Sequence, residues 1–100
     1  MLNIEKKIDN DKACFRLTGR LDTLTSPELE SELTGIIDGL TDLVLDFEEL
    51  EYVSSAGMRV LLAAQKKMND LGTMTVKHVR QEIMDTFEMT GFDEILTIEN

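Results

Sequence analysis

The chain has 100 residues, 42% hydrophobic and 30% charged, with ten Lys plus Arg against twenty Asp plus Glu and a formal net charge of −10. That length suits one domain around one core, so residues 1–100 are read as a single domain. The acidic surplus argues against nucleic acid, whose phosphates must be met by Lys and Arg. It also argues against anionic membrane surfaces, whereas a basic protein partner would be attracted and steered in.

Cys14 is the only cysteine, so neither an internal disulfide nor a thiolate metal cluster is available. Its place in an alternating apolar segment marks it as a small core hydrophobe. No apolar run approaches the roughly 18 residues of a spanning helix. Met1 to Lys7 lacks a signal-peptide apolar region, and a cytoplasmic location is the expectation.

Leu2, Ile4 and Ile8 alternate with polar residues as in a half-buried strand, and Asp9-Asn10-Asp11 reads as a turn into a second strand carrying Ala13, Phe15 and Leu17. Ser26-Pro27 marks a helix start, with Ser26 as cap and Pro27 in the first helical position. Leu29, Leu33, Ile36, Ile37 and Leu40 recur at helical spacing, with Gly39 at the end. Leu43, Val44, Leu45 and Phe47 are nearly continuous, which predicts a central strand covered on both faces or nearly so. An acidic loop, Glu48 to Glu51, follows.

A second helix is predicted from about Ser55 to Asp70, ended by Gly72. Thr73 to Val79 reads as a fourth strand and Gln81 to Thr90 as a third helix, stopped by Gly91. Phe92, Ile95, Leu96 and Ile98 form an apolar tail that docks on the body, with room for a short last strand. The alternation predicts an α/β fold: a mixed, mostly parallel sheet of four to five strands with packed helices, opened by an antiparallel hairpin.

The segment Tyr52-Val53-Ser54-Ser55-Ala56-Gly57-Met58 carries the functional signal. A serine hydroxyl at a helix start is placed to be modified, because the free N–H groups and the positive end of the helix dipole favour a phosphate. Ser54 and Ser55 also suit plain capping, and Gly57 suits close packing as well as phosphate approach. Along the second helix Val60, Leu61, Ala64, Met68 and Leu71 form the core stripe. Met58 and Leu62 fall in line with Ser55 at offsets of three and seven, so Ser55, Met58 and Leu62 are expected to share a partly exposed partner-binding strip.

Three ordered segments resemble the STAS domain, and within it the bacterial anti-sigma-factor antagonists. They are Leu17 to Thr23, Leu43 to Phe47 with Tyr52 to Leu62, and Phe87 to Leu96. The resemblance runs over nearly the whole chain and implies a small mixed sheet with helices packed on it. It implies that Ser55, two residues before Gly57, is a phosphoacceptor, and that Asp22, Ser54, Ala56, Gly57, Met58 and Leu62 belong with it to the partner-binding surface. The unphosphorylated antagonist of such a system binds an anti-sigma factor and so releases the sigma factor to RNA polymerase. The anti-sigma factor is often a serine kinase, which uses ATP of its own to inactivate the antagonist, and a phosphatase restores it. Many phosphorylated relatives carry aspartate just before the acceptor; here that position is Ser54, which makes Ser54 a competing acceptor.

Asp46, Glu48, Glu49 and Glu51 form an acidic cluster suited in principle to acid–base work or magnesium. No nucleophile–base pair accompanies it, His78 is a lone histidine in an alternating strand, and no phosphate-binding glycine loop with a lysine is present. Arg59 is a candidate to pair with the acidic loop. The chain is therefore read as a binding protein rather than an enzyme, needing no metal or cofactor, and the resemblance implies an anti-sigma-factor antagonist switched off by phosphorylation of Ser55. The alternative is a STAS adaptor module in a transport or stress-signalling assembly. The oligomeric state is left open by the sequence.

Overall fold

The computed structural model of the chain describes residues 1–99; Asn100, the last residue of the expected domain, lies outside the described residues. Leu2–Asp9 (β1) and Lys12–Leu21 (β2) form the expected hairpin, closed by Asn10 and Asp11 with Asp9 opposite Lys12. Asn10 takes φ 57°, a left-handed conformation that asparagine tolerates better than most residues. The Asp11 carbonyl then accepts from Thr41 N–H at 2.7 Å, tying the hairpin tip to the start of Asp42–Val53 (β3). Thr73–Lys77 (β4) and Ile98–Glu99 (β5) complete a five-stranded mixed sheet whose strands lie side by side in chain order. β1 runs antiparallel to β2, and every other pairing is parallel.

Each parallel step moves the same way across the sheet, so right-handed crossovers put the connecting helices on one face. These are Ser26–Thr34 (α1), Ser55–Leu71 (α2), Gln81–Thr90 (α3) and Phe92–Ile95 (α4). Register and burial agree. Phe15, Leu45 and Val76 stand in one row and are all buried; Arg16, Asp46 and Lys77 stand in the next and are half-buried. β3 is therefore covered on one face and not on both. Cys14 shares a half-buried row with Val44 and Thr75, so it lies on the open face and not in the core, where Ala13 and Phe15 sit instead.

The acidic segment Glu48 to Glu51 is not a loop but a continuation of β3. The register with β2 slips between Arg16 and Thr18 and again between Gly19 and Arg20, each time by one extra residue in β3. Each bulge breaks the two-residue alternation, so the buried positions become Phe47, Leu50 and Val53, three apart. A strand with that spacing does not read as a strand.

Thr25 rather than Ser26 stands at the N-cap position of α1, with no side-chain capping hydrogen bond, and the helix ends at Thr34 rather than running on to Gly39. Gly35 and the β-branched pair Ile36-Ile37 favour helix poorly, and a short 3-10 turn, Ile37–Gly39, carries the chain on. Leu29, Leu33, Ile37 and Leu40 are buried all the same. β4 stops two residues early, because His78 turns to φ 57°. The tail docks as expected through Leu96, which is buried, and half-buried Ile98, while Ile95 is exposed.

The junction of α2 with β4 has no room for a side chain. A Cβ on Gly72 would lie 1.9 Å from the Thr41 carbonyl oxygen, whereas one on Gly39 would meet nothing within 4 Å. Gly72→Ala is expected to lose about 2–3 kcal/mol of stability through forced backbone displacement. Gly39→Ala should stay within about 1 kcal/mol of the parent in either direction. Urea unfolding of the two variants side by side checks the pair.

Candidate functional site

The predicted serine segment sits where β3 leaves the sheet and α2 begins. Ser54 N–H donates to the Leu21 carbonyl at 2.8 Å, which holds the end of β3 against the end of β2. Ser54 is extended (φ −87°, ψ 174°) and is the N-cap; its Oγ accepts from Gly57 N–H at 3.3 Å, and its carbonyl accepts from Met58 N–H at 2.9 Å. Ser55 is the first residue of α2. It is exposed, and its hydroxyl has no hydrogen-bond partner among the described residues. The two serines thus divide the work by one residue of register: Ser54 closes the helix and Ser55 is left free.

Gly57 is buried against Leu21. A Cβ there would meet Leu21 Cγ at 2.8 Å and the Leu21 carbonyl oxygen at 3.0 Å. Close packing, which the spacing left open beside phosphate approach, is what the geometry uses this glycine for. No acidic residue occupies the first turn of α2, so nothing there offsets the positive end of its dipole.

The expected strip of Ser55, Met58 and Leu62 is not formed as drawn. Met58 is only 6% exposed, and Leu62 is half-buried, as is Ala56. An offset of three residues leaves Met58 about 60° out of line with Ser55, enough to carry it under the helix. There it joins a stripe with Leu61, Gln65 and Met68. Val60, Leu61, Ala64 and Met68 are buried as predicted, and Leu71 is half-buried.

Asp22 follows Leu21 directly and so stands beside the serine segment. Its Oδ1 accepts from Leu24 N–H at 3.0 Å, Thr25 N–H at 3.1 Å and the Thr25 hydroxyl at 3.1 Å. The Thr25 N–H, more than any other group, holds the Asp22 carboxyl below the usual carboxylate range. Three residues to which the sequence reading gave no individual role complete this corner. Thr25 is buried and ties Asp22 to the Arg20 carbonyl. Arg20 lies 4.2 Å over the Tyr52 ring centroid, with Nε 3.9 Å from Asp22 Oδ2. The Asp-x-x-Thr spacing was a readable signal for the turn. The Arg20–Tyr52 stack had none, since it depends on strand pairing across 32 positions of sequence.

The acidic cluster lies elsewhere. Burial alone would raise the Asp46 carboxyl, but the Glu48 N–H, His78 and Arg16 together hold it below the ordinary range. His78 Nδ1 is 3.0 Å from Asp46 Oδ1 and 3.8 Å from Glu48 Oε2. Arg16 lies 3.8 Å from Glu48 and 3.9 Å from Glu49. Arg16, not Arg59, is therefore the cation that meets this segment. A cleft of about 180 Å³ between α1 and α2 is lined by Leu33, Ile37, Val60, Ala63 and Ala64 and bridged by Lys67 and Asp38 at 3.0 Å.

Ser54→Ala is expected to cost about 1 kcal/mol through loss of the cap, and Ser55→Ala to stay within about 0.5 kcal/mol; chemical denaturation measures both. The folded chain holds the Asp22 proton more weakly than the unfolded chain does. The stability due to the Asp22 carboxylate is therefore present above about pH 4 and lost as pH falls through its lower folded value. Asp22→Asn should flatten that part of the acid limb in unfolding curves recorded across the acid range.

The STAS domain family model matches residues 3–100. BtrV of Bordetella bronchiseptica, provisionally named an anti-sigma factor antagonist, is 33% identical over 86 residues, covering 84% of this chain and 74% of that protein. The anti-sigma-B factor antagonist of Staphylococcus aureus is 29% identical over 99 residues, covering 97% of this chain and 92% of that protein. Among solved structures, an anti-sigma factor antagonist from Mycobacterium paratuberculosis superposes with a TM-score of 0.87 at 20% identity, over 98% of this chain and 85% of its own. The unphosphorylated form of the antagonist SpoIIAA does so with a TM-score of 0.77 at 16% identity, over 100% and 88%. Its phosphorylated form gives 0.75 at 16% identity, over 100% and 92%. The family model matches almost the full length of the chain, and the chain belongs to the STAS domain family.

Proposed function

We propose that this chain is an anti-sigma-factor antagonist. In its unphosphorylated form it binds an anti-sigma factor that is itself a serine kinase, and phosphorylation of Ser55 switches it off. A phosphatase resets it. The observation that carries this reading is the Ser55 hydroxyl: exposed, unbonded, and one residue beyond the cap of α2. The similarity to proteins named as antagonists supports the role, and SpoIIAA shows that the same fold exists in a phosphorylated form.

In the transfer, the Ser55 Oγ attacks the γ-phosphorus of the kinase's ATP. The bond to the bridging oxygen breaks, ADP leaves, and the hydroxyl proton passes to a base on the kinase. The product carries about −1.5 to −2 charges at neutral pH. Next to the uncompensated start of α2 that charge is tolerated by the fold. Against a partner it must be desolvated at the centre of the contact, which is where binding is lost. Ser55, Ala56 and Leu62 offer accessible surface for such a contact, flanked by Asp22 and Tyr52. Gly57 and Met58 support it from below.

Ser54 is the less suitable acceptor. It is half-buried and its Oγ is engaged by Gly57 N–H, so modifying it would break the cap. Incubation with the cognate kinase and ATP, followed by intact mass and site mapping, should find one phosphate on Ser55. It should be retained in Ser54→Ala and lost in Ser55→Ala. The phosphorylated protein should bind its partner at least about 10-fold more weakly than the unmodified one, with Ser55→Ala binding throughout. Phosphate on Ser54 alone, or equal affinity of the two forms, would overturn the reading.

A further inference from the structure

Arg59 lies one helical turn beyond Ser55 on α2, four residues further on. Residues at this spacing are neighbours on a helix surface, with Cβ atoms about 5–6 Å apart. Helical side chains lean toward the N-terminus of their helix, a tendency that favours reach from position 59 toward position 55. Arg59 is exposed and makes no hydrogen bond or ion pair with any described residue. That is notable in a chain with twice as many acids as bases. The reason is local. The first turn of α2 has no acid, Asp22 is paired with Arg20, and Glu48 and Glu49 are met by Arg16. A guanidinium is thus kept free beside the one free serine hydroxyl of the segment.

We propose that Arg59 is an internal clamp for the phosphate on Ser55, an inference that rests on Ser55 being the phosphoacceptor. The planar guanidinium offers two parallel N–H donors to two phosphate oxygens, a geometry lysine does not supply. Capture has two consequences. The phosphate is held as a dianion at neutral pH. The docking face also changes by more than the added charge, because a cation that the unmodified protein presents to its partner is withdrawn into the pair. Modification therefore adds negative charge and removes positive charge on the same turn of helix. Aspartate at position 55 has one charge and a shorter reach, so it leaves Arg59 outside and imitates the off state poorly.

The test uses the full chain with phosphoserine installed chemically at position 55, so its outcome does not depend on any kinase. Titration of the phosphate by phosphorus NMR should give a second ionisation below the usual value of about 6. Arg59→Gln should raise it by about 0.3–0.7 unit, the range equivalent to one exposed ion pair, and Arg59→Lys should restore only part of the shift. Phosphate should also raise the midpoint of urea unfolding more in the parent than in Arg59→Gln, which a merely structural role for Arg59 would not produce. The unphosphorylated Arg59→Gln protein serves as the folding control. Identical titration curves with and without the arginine would sink the clamp. Failure of kinase labelling at Ser55 would sink the acceptor reading instead and leave the titration result standing.

Discussion

The whole arrangement depends on the contact between Gly57 and Leu21. A helix can start this close to the end of a neighbouring strand only if its first turn carries no side chain there, since any Cβ would stand 2.8 Å from Leu21 Cγ. With that contact made, the Ser54 N–H reaches the Leu21 carbonyl, and Asp22, next in the chain, is delivered to the same corner. The turn that follows is closed by Thr25 on the Asp22 carboxylate. A buried van der Waals contact thus sets the position of an exposed hydroxyl. For the proposed switch the rigidity matters, because a modified residue on a loose loop would present no fixed surface for a partner to read.

The sheet divides the molecule into two unlike sides. Helices and core occupy one. The other carries ion pairs in rows: Arg16 with Glu48 and Glu49, Asp46 with His78, and Lys77 with Glu99. These exposed pairs contribute little stability singly. Within the acid-rich segment of β3, Arg16 meets Glu48 and Glu49, and the His78 ring nitrogen bonds Asp46. The end of the sheet where α2 begins is different. There the hydroxyl of Ser55 and the guanidinium of Arg59 are both without partners among the described residues, and Leu24 and Tyr52 expose apolar surface.

Much of the fold was legible because local signals and tertiary packing agreed. The third helix lies on Gln81–Thr90 as read, and the second differs from its expected end by one residue. Failures fell where packing overrode local pattern. The two bulges in β3 changed its spacing from two to three and hid a strand inside an apparent acidic loop. Near-continuous apolar character in Leu43 to Leu45 suggested cover on both faces, yet Val44 faces the open side with Cys14. At the site, the serine pair was found from its residues and Asp22 from the family resemblance. Met58 was placed on the wrong side, because an offset of three stands about 60° out of line on a helix whereas one of seven stands only about 20° out.

The sequence by itself determined the elements, the family and the segment that matters, because capping residues, hydrophobic period and short motifs are local properties of the chain. Only the tertiary structure decided which of two adjacent serines is spent on the cap and which is free, which face of β3 meets solvent, and which arginine answers the acidic strand. Those outcomes depend on register between segments far apart in sequence. A one-residue slip in strand pairing, or about 100° of rotation on a helix, exchanges buried for exposed.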